Sequence, residues 1–372
     1  MKVCINLNPA LYQPTGVGSH ARNLFIHLTQ LCKPDMELYG LSSSWKYRLE
    51  IPQVDRNRII DLRLPSKLFN FAVNVSGLIP IELLTLRTFD IVHAPYHIVL
   101  PALKAKKVIS VHDLYFFALS RNSFFGSIYN EKTALRKSVT ASDAIICVSH
   151  FTKQRLIEIF PELEEKIAVI YNGFTSSARK NGKDKEYVRA EKTRMKLPDE
   201  YVVFIGTVEK RKNLLSLVDA VKMLNSGNRK IGLVIAGKSG YEGDKVLRAI
   251  EGVECIKYFG YVTDEQKNIL YQCARALVFP SLEEGFGVPL LESMSWGVPV
   301  ITSRGSALEE IAKDSAWYIE ENTAEGICDA INYVLEHDDL RGTLIKKGYR
   351  RIEEFSWENA ALQVYDLYKK IL

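Results

Sequence analysis

Short, continuous apolar runs that alternate with helical patterns constrain the fold of this chain more than any other feature. Strands are predicted at Lys2–Leu7, Glu37–Leu41, Arg58–Leu62, Asp90–His93, Val108–His112, Ala144–Val148 and Ile167–Tyr171, and then at Tyr201–Gly206, Gly232–Ala236, Cys255–Gly260, Ala276–Phe279 and Val298–Thr302. Runs without strict alternation of apolar and polar residues are typical of parallel strands buried on both faces. Because helical patterns separate them, the sequence predicts an α/β fold of the doubly wound type.

One long segment, Ser176–Glu200, interrupts this alternation because it is polar and charged and has almost no apolar periodicity. We interpret it as a connection between domains that contains one short helix. The length of 372 residues also exceeds the roughly 250–300 residues that a single core usually reaches. The sequence thus predicts two Rossmann-like domains facing a cleft, over residues 1–173 and 174–355, followed by a closing helix over residues 356–372.

Composition excludes several classes of protein. Apolar residues make up 47% of the chain and charged residues 25%, which are ordinary globular values. The most apolar stretch, Phe71–Leu86, is interrupted by Asn74, Pro80 and Glu82 before it reaches the ~20 residues of a membrane span. Met1–Asn8 turns polar too early for a signal peptide. The six cysteines are scattered without a CxxC pair, so we expect free thiols and a cytoplasmic protein.

Positive charge is concentrated in the first half. The net charge is +5, but residues 1–175 contain 20 Lys and Arg against 14 Asp and Glu, and the remainder is nearly balanced. The asymmetry indicates either an anionic partner, such as a lipid diphosphate or a membrane surface, or an ordinary solvated surface. Arg56, Arg58, Arg63 and Lys67 alternate with apolar residues, which fits peripheral contact with the inner membrane surface or packing on the sheet.

A glycine-containing turn, Thr15–Ser19, follows the first predicted strand, and Ser19 is a plausible N-cap for the helix that begins there. Gly16 and Gly18 would let the backbone approach a ligand, and the helix N-terminus would attract an anion. Ala21 stands where the full dinucleotide-binding fingerprint requires a third glycine. The pattern therefore fits either donor binding or a tight turn without a ligand.

His112 and Asp113 follow a predicted buried strand, at the sheet edge where ligands of open α/β folds bind. A histidine there can bind a hydroxyl or an anion, and Asp113 could orient it. The alternative is a loop histidine capped by its neighbour. His93 and His97 do not form a convincing metal site, because Pro95 between them prevents a shared helical face.

Three consecutive cations, Lys210, Arg211 and Lys212, lie between a predicted strand and the helix that starts near Asn213. Cations at a helix N-terminus oppose the helix dipole unless an anion is bound. Arginine can bind phosphate with two parallel hydrogen bonds, and lysine binds it as a point charge. The segment therefore predicts a diphosphate site.

The most specific stretch is Pro280–Glu292, a glycine-rich turn that follows a strand and leads into a helix. Glu284 lies on the turn and Glu292 lies eight residues later on the helix. Two carboxylates so placed can bind separate hydroxyl groups of one ligand, while the N–H groups of Phe286 and Gly287 face its anion.

At these residues the sequence resembles glycosyltransferase family 4, the retaining nucleotide-sugar transferases with a GT-B fold. The most diagnostic match is the E-x7-E motif from Glu284 to Glu292, and the likeness covers nearly the whole chain. The resemblance implies an acceptor-side first domain, a nucleotide-sugar-binding second domain, and a closing helix that returns to the first.

The resemblance also implies roles for individual residues. The following residues are expected to serve the donor or the acceptor: Arg211 and Lys212 at the diphosphate, Val262 at the base, Glu284 with the amides of Phe286 and Gly287 at the donor sugar, Glu292 at the ribose, Gly16 and Gly18 in donor binding, and His112 with Asp113 on the acceptor side. His112 and Glu284 are the expected catalytic residues. A DxD motif is missing, so neither a metal nor another cofactor is expected.

The donor is expected to be GDP-mannose, because His112–Leu114 followed by Tyr115–Phe117 is similar to bacterial mannosyltransferases of surface-polysaccharide assembly. UDP-glucose, UDP-N-acetylglucosamine and dTDP-rhamnose remain alternatives. The expected acceptor is a glycan or a polyprenyl-diphosphate-linked glycan, and no nucleic-acid partner is expected.

Other classes of protein fit the sequence less well. A GT-B nucleotide-sugar epimerase would share the motifs but would need no acceptor, and a phosphorylase would need a longer chain. A dinucleotide oxidoreductase would not explain Glu284 and Glu292 together. An inactive binding subunit would not require Arg211, Lys212 and both glutamates.

Overall fold

The computed structural model of the chain describes residues 1–11, 15–31, 33–69, 79–118, 127–176, 185–227 and 229–372. These residues form two compact units, each built around its own parallel sheet. Unit 1 comprises Met1–Gly173 together with Phe355–Leu372, and unit 2 comprises Phe174–Glu354.

Unit 1 contains seven described strands, all parallel, in the order β3-β2-β1-β4-β5-β6-β7. The strands are β1 (Lys2–Asn6), β2 (Glu37–Ser42), β3 (Ile59–Asp61), β4 (Ile91–Ala94), β5 (Lys106–Val111), β6 (Ala144–Cys147) and β7 (Ile167–Val169), and the helices are α1 (Gly16–Gln30), α2 (Ser66–Phe69), α3 (Ile81–Thr85), α4 (Tyr115–Ala118), α5 (Ser127–Ala141) and α6 (His150–Ile159). Successive residues of a strand point to opposite faces. Val3 and Ile5 of β1 accordingly join one core cluster and Cys4 the other, so both faces of the sheet are buried.

Unit 2 contains six described parallel strands in the order β10-β9-β8-β11-β12-β13. The strands are β8 (Tyr201–Ile205), β9 (Gly232–Ala236), β10 (Ile256–Tyr258), β11 (Ala276–Phe279), β12 (Val300–Thr302) and β13 (Ala316–Tyr318), and the helices are α7 (Lys185–Arg194), α8 (Leu214–Ser226), α9 (Gly243–Ile250), α10 (Asp264–Cys273), α11 (Val288–Ser295), α12 (Ala307–Ala312), α13 (Ala324–Glu336) and α14 (Asp338–Arg351). In both sheets the strand order reverses direction once, between β1 and β4 and between β8 and β11. Ligands of open α/β sheets bind beyond the carboxyl ends of the strands at such a reversal.

The last helix, α15 (Trp357–Ile371), belongs to unit 1. Its buried residues recur at helical spacing and join the core cluster formed with α1, so burial of an apolar stripe holds it there. The hydroxyl of Tyr368 lies 2.6 Å from Nδ1 of the fully buried His93. At the start of the helix, Trp357 packs so closely on Gly173 that a Cβ there would lie 2.3 Å from the indole.

The α/β, doubly wound fold predicted from the sequence is confirmed. Each predicted strand starts and ends within two residues of the corresponding observed strand. One strand was not predicted, β13 (Ala316–Tyr318). It lies at the sheet edge and is only three residues long, with Trp317 and Tyr318 half-buried, so it lacks a buried apolar run. The assignment of Ser19 as the N-cap of α1 is wrong. The Thr15 hydroxyl accepts from the Gly18 N–H at 3.1 Å, so the helix begins at Gly16.

The polar segment Ser176–Glu200 contains α7, and its residues 177–184 lie outside the described part of the chain. In the basic stretch of residues 56–69, most apolar side chains pack inward: Phe69 is fully buried, and Ile59, Leu62 and Leu64 contact the two cores. Leu68 is 52% exposed, and the side chain of Lys67 is not described. Packing on the sheet is thus the alternative that the described contacts favour.

Among the described helices, none combines the length and the apolar character that crossing a bilayer requires. Of the apolar stretch Phe71–Leu86, residues 71–78 lie outside the described residues, and Ile81–Thr85 forms a short helix.

Candidate active site

Two loops of unit 2 follow adjacent central strands, β8 and β11, and carry the charged residues singled out in the sequence. After β8, the residues Lys210–Lys212 form one turn of 3-10 helix, and Asn213 in the left-handed region leads into α8. After β11, the chain enters α11 through Gly287, whose φ of 114° disfavours any residue with a side chain. A Cβ at Gly287 would also lie 2.8 Å from Leu308. The turn geometry therefore requires glycine at this position.

Glu284 is the centre of a buried ion cluster that these two loops form. Its carboxylate pairs with the ammonium of Lys212 and lies 2.8 Å from Nη1 of Arg211. Arg211 also donates through Nε to Glu209 at 2.6 Å and through Nη1 to the Glu283 carbonyl at 3.1 Å. Glu284 is 8% exposed and Lys212 is 5% exposed, so these charges lie almost out of water.

The two cations keep Glu284 ionised. Burial alone would raise the pKa of Glu284, but the adjacent charges of Lys212 and Arg211 outweigh it and hold the pKa below its ordinary value of 4.5. The Lys212 ammonium also lies 5.0 Å from the centre of the Phe279 ring, which itself stacks on Phe204. Packing and pairing together leave the lysine little freedom, so the cluster is preorganised.

The three consecutive cations have carboxylate partners within the protein. Lys210 lies 3.7 Å from Glu242, and Arg211 and Lys212 share Glu284. These carboxylates weaken the argument that the three cations require an external anion at the helix terminus, because the protein itself neutralises them. Binding of a diphosphate by Arg211 and Lys212 stays a prediction.

Glu292 is the centre of a second ion cluster, between α11 and α10. Its carboxylate oxygens lie 2.6 Å from Nζ of Lys267 and 3.0 Å from the hydroxyl of Tyr271. Burial opposes the charge of Lys267, but Glu292 more than compensates and raises the pKa of Lys267. Burial and Glu292 both raise the pKa of Tyr271, which stays a neutral donor. Lys267 and Tyr271 are four residues apart, so they lie on one face of α10.

The remaining predicted donor contacts also lie in unit 2. Val262 is half-buried and immediately precedes Thr263, which caps α10 in a capping box with Gln266. Phe286 is buried, with 6% exposure. The backbone at Val262 is thus held by the start of a well-capped helix.

In unit 1, the ring of His112 follows β5 and is anchored by the backbone. Its Nε2 lies 3.0 Å from the carbonyl oxygen of Pro95. Since a carbonyl can only accept, Nε2 carries the proton and Nδ1 is left as an acceptor. Burial lowers the pKa of His112, although Pro95 and Asp113 act in the opposite direction. The contact with Pro95 fixes Nε2, and orientation of the ring by Asp113 stays a prediction.

The two glycines at the start of α1 differ in how closely other atoms approach them. A Cβ at Gly18 would lie 2.4 Å from the Pro9 carbonyl oxygen, so this position needs glycine for packing. A Cβ at Gly16 would meet no atom of the described residues within 4 Å. Packing thus explains Gly18, whereas no contact with the described residues requires glycine at position 16.

Comparison with known proteins gives the family. A model described as Glycosyltransferase Family 4 matches residues 14–177, and one described as Glycosyl transferases group 1 matches residues 188–351. The chain belongs to glycosyltransferase family 4. Its two family models together span nearly the whole chain, and the family resemblance read from the E-x7-E motif is confirmed.

Among its relatives is the O-antigen chain mannosyltransferase B of Escherichia coli, 28% identical over 99% of this chain and 100% of the relative. Sucrose-phosphate synthase from Thermosynechococcus elongatus superposes with a TM-score of 0.76 at 17% identity, covering 100% of this chain and 98% of that one. The Anabaena protein HepE in complex with UDP and glucose superposes with a TM-score of 0.74 at 14% identity, with 100% of both chains covered. These structures show that the glycosyltransferase has the GT-B fold with two Rossmann-like domains.

Several residues that contact the predicted site residues of this family 4 glycosyltransferase were not predicted from the sequence. Glu209, Lys267 and Tyr271 hold the predicted donor residues, and His20 packs edge-on against His112 at 4.6 Å between ring centroids. Only the spacing of Lys267 and Tyr271 left a signal, since residues four apart share a helix face. Within the described residues, no group of three or more His, Cys, Asp or Glu side chains is arranged to hold a metal ion.

Proposed function

We propose that this glycosyltransferase is a retaining mannosyltransferase of surface-polysaccharide synthesis, either O-antigen or capsule. It would transfer mannose from GDP-mannose to a glycan or to a glycan on polyprenyl diphosphate. The observation that carries the proposal is the full-length relationship to the O-antigen chain mannosyltransferase B of E. coli. The reaction would take place on the cytoplasmic side of the membrane, with the basic first unit in peripheral contact with the membrane surface.

In the proposed mechanism, unit 2 holds the donor. Arg211 and Lys212 neutralise the charge that develops on the leaving diphosphate. The two side chains thus replace the metal ion that other transferases use. Glu284, with the Phe286 and Gly287 amides, positions the mannose, and Glu292 accepts hydrogen bonds from the ribose. The buried, paired state of Glu284 supports this proposal, because a preorganised ion cluster needs no reorganisation when charge develops.

Retention would follow from attack on the face that the leaving group departs from. The bond between the anomeric carbon and the phosphate oxygen breaks, the acceptor oxygen bonds to that carbon, and its proton passes to the departing phosphate. His112 would serve the acceptor side, where its Nδ1, the acceptor nitrogen when Nε2 donates to Pro95, would receive a hydrogen bond from a sugar hydroxyl. A covalent mannosyl–Glu284 adduct trapped with a slow donor would contradict this route.

A different donor is the second candidate. HepE, which has the same fold, was solved with UDP and glucose. UDP-glucose, UDP-N-acetylglucosamine and dTDP-rhamnose are therefore the alternatives, and an epimerase would consume its nucleotide sugar without any acceptor.

Proton NMR of the reaction tests the proposal directly. The protein is incubated with GDP-mannose and octyl α-mannoside, without a metal ion and with EDTA, and the anomeric signal of the product is followed. We expect an α-linked product formed only when the acceptor is present. A β-linked product, a requirement for a divalent cation, or consumption without an acceptor would each contradict part of the proposal. In parallel incubations, consumption of a UDP- or dTDP-sugar but not of GDP-mannose would show that the donor is not GDP-mannose.

A further inference from the structure

Two buried polar side chains of unit 1 make no well-formed hydrogen bond to any group in the described part of the chain. They are His20, through both ring nitrogens, and Asn172, through Oδ1. Each residue is 7% exposed, so water reaches neither side chain freely. Buried polar groups of native proteins are normally paired, and an unpaired one costs free energy. Two such groups side by side therefore indicate a partner that binds there.

The surroundings hold both residues in place. The close approach of Gly18 to Pro9 sets the start of α1, which carries His20. The imidazole of His20 lies 4.6 Å from that of His112 and 5.7 Å from the Trp357 indole, measured between ring centroids. Trp357 in turn packs on Gly173, the residue after Asn172, at a distance that only glycine allows.

The two side chains match one chemical group. Burial holds the pKa of His20 well below its ordinary value, and protonation of His112 or His93 would act in the same direction. Only the Asn172 side chain, which is near enough to act as a hydrogen-bond acceptor for the protonated ring, opposes them. The imidazole is therefore neutral, with one N–H donor and one acceptor nitrogen, and Asn172 Oδ1 is a further acceptor. A hydroxyl group accepts one hydrogen bond and donates another, so it satisfies this set. A phosphate or carboxylate would face two acceptors in a place that disfavours charge.

We propose that His20 and Asn172 form, beside His112, a subsite of unit 1 that binds a hydroxyl group of a sugar. The inference rests on the proposed function, because it takes the sugar to be the acceptor or the transferred residue. In the subsite, the imidazole N–H donates to the sugar oxygen and the hydroxyl donates to Asn172 Oδ1. His112, whose Nδ1 is the acceptor nitrogen when Nε2 donates to Pro95, would contact a neighbouring hydroxyl of the same sugar.

The test uses His20→Phe and Asn172→Ala, with His27→Phe as the matched control. Phenylalanine keeps a flat ring against Trp357 but removes both nitrogens of His20. His27 lies on the same helix and stacks on the same Trp357 at 5.9 Å, but its ring bonds the Asn23 carbonyl. Steady-state kinetics are measured with GDP-mannose and octyl α-mannoside, and thermal unfolding is measured without ligands.

We expect His20→Phe and Asn172→Ala each to raise KM for one sugar substrate about tenfold, and the double variant to raise it no further. A higher KM for octyl α-mannoside would show that the hydroxyl belongs to the acceptor. A higher KM for GDP-mannose would show that it belongs to the donor. His27→Phe should change neither KM more than twofold. The unfolding midpoint of His20→Phe should equal or exceed that of the wild type, because a buried unpaired group has been removed.

Unchanged values of both KM in His20→Phe would overturn the subsite. A midpoint several degrees below the wild type would overturn it as well, because the ring nitrogens would then have a structural partner such as a buried water. This second readout needs no substrate. A wild-type protein that transfers no mannose would instead contradict the proposed function, so the two failures are distinguishable.

Discussion

At the reversal of strand order, unit 2 carries paired charges and unit 1 carries uncharged histidines. In unit 2, buried carboxylates are neutralised by arginine and lysine, as in the pair of Glu284 with Lys212. In unit 1, the pKa values of His20, His93, His97 and His112 are all lowered by burial. The same sheet topology therefore supports two electrostatic environments, one suited to an anionic ligand and the other to a neutral polyol.

The difference arises from which residues follow the strands, since the strands themselves are alike. After β8 and β11, long charged side chains meet across adjacent loops, whereas after β5 the chain places an imidazole against a backbone carbonyl. A buried ion pair keeps its charges only while both partners are present. A buried imidazole stays neutral where the cost of burying its charge outweighs the neighbours that favour protonation, as at His112. The comparison can be tested in both units.

The largest effect is expected for Glu284→Gln. The change leaves Arg211 and Lys212 without their shared carboxylate, and we expect kcat with GDP-mannose to fall about 10²–10³-fold. Loss of one partner from a buried pair should also reduce the free energy of unfolding by about 3–5 kcal/mol. The control is Glu309→Gln, because the Glu309–Arg304 pair is exposed and should contribute less than about 1 kcal/mol. Equal effects of both variants would remove the distinction between buried and exposed pairs.

Acid should destabilise unit 1 before unit 2. The pKa of the buried His93 is lowered from 6.5 to about 3, so the unfolded chain binds a proton first and stability falls as pH drops below 6.5. At pH 5 this histidine alone should reduce the free energy of unfolding by about 2 kcal/mol. The pKa of Glu284 is lowered below 4.5, so its contribution is lost only at lower pH.

Hydrogen-exchange protection factors at pH 7 and pH 5 measure this difference. Protection of β4 and β5 should fall at pH 5, while that of β8 and β11 should hold. Simultaneous loss of protection in both units would contradict the proposed contrast.

The glycines of the α1 turn separate packing from ligand binding. Gly18→Ala places a Cβ against the Pro9 carbonyl oxygen and should reduce the free energy of unfolding by about 1–3 kcal/mol. Gly16→Ala meets no described atom and should leave stability within about 0.5 kcal/mol of the wild type. If Gly16 serves the donor, Gly16→Ala should still raise KM for GDP-mannose. Denaturant unfolding and kinetics of both variants give the answer, and an unchanged KM would limit Gly16 to a structural role.

The smallest effect is expected for Lys267→Ala. Without its partner, Glu292 loses the contact that orients it, and we expect affinity for GDP to fall about tenfold. Lys245→Ala is the control, since the Lys245–Glu242 pair is exposed and belongs to α9. Titration calorimetry with GDP compares the two. Equal affinities in both variants would show that Lys267 does not support the donor site.

The sequence predicted the fold better than the details of the sites. Apolar runs such as Tyr201–Gly206 predict strands because burial on both faces leaves a local pattern, and the doubly wound class followed. The edge strand Ala316–Tyr318 was missed because its half-buried residues leave no such pattern. Ser19 suits the N-cap position by residue type, but Thr15 does so as well, and only the geometry shows that Thr15 caps the helix.

The partners of the predicted site residues could not be read from the sequence. Lys267 is 25 residues from Glu292, and Lys212 is 72 residues from Glu284, so their contacts depend on how loops and helices meet in three dimensions. His20 lies within the first helix, and nothing in the local sequence distinguishes it from an ordinary helix residue. Local sequence patterns predict the helices and strands, whereas long-range contacts decide which side chains share a site.

The central claim is that the cluster of Arg211, Lys212 and Glu284 serves a nucleoside diphosphate. Thermal unfolding with GDP, UDP, dTDP, ADP and NAD tests it on the wild type, on Arg211→Ala and on the exposed-pair control Arg304→Ala. At 100 times its dissociation constant a ligand adds about 2.7 kcal/mol of stability, enough to raise the midpoint by a few degrees. We predict that GDP raises the midpoints of the wild type and Arg304→Ala but not that of Arg211→Ala. An equal rise in all three proteins, or a rise with NAD alone, would contradict the account.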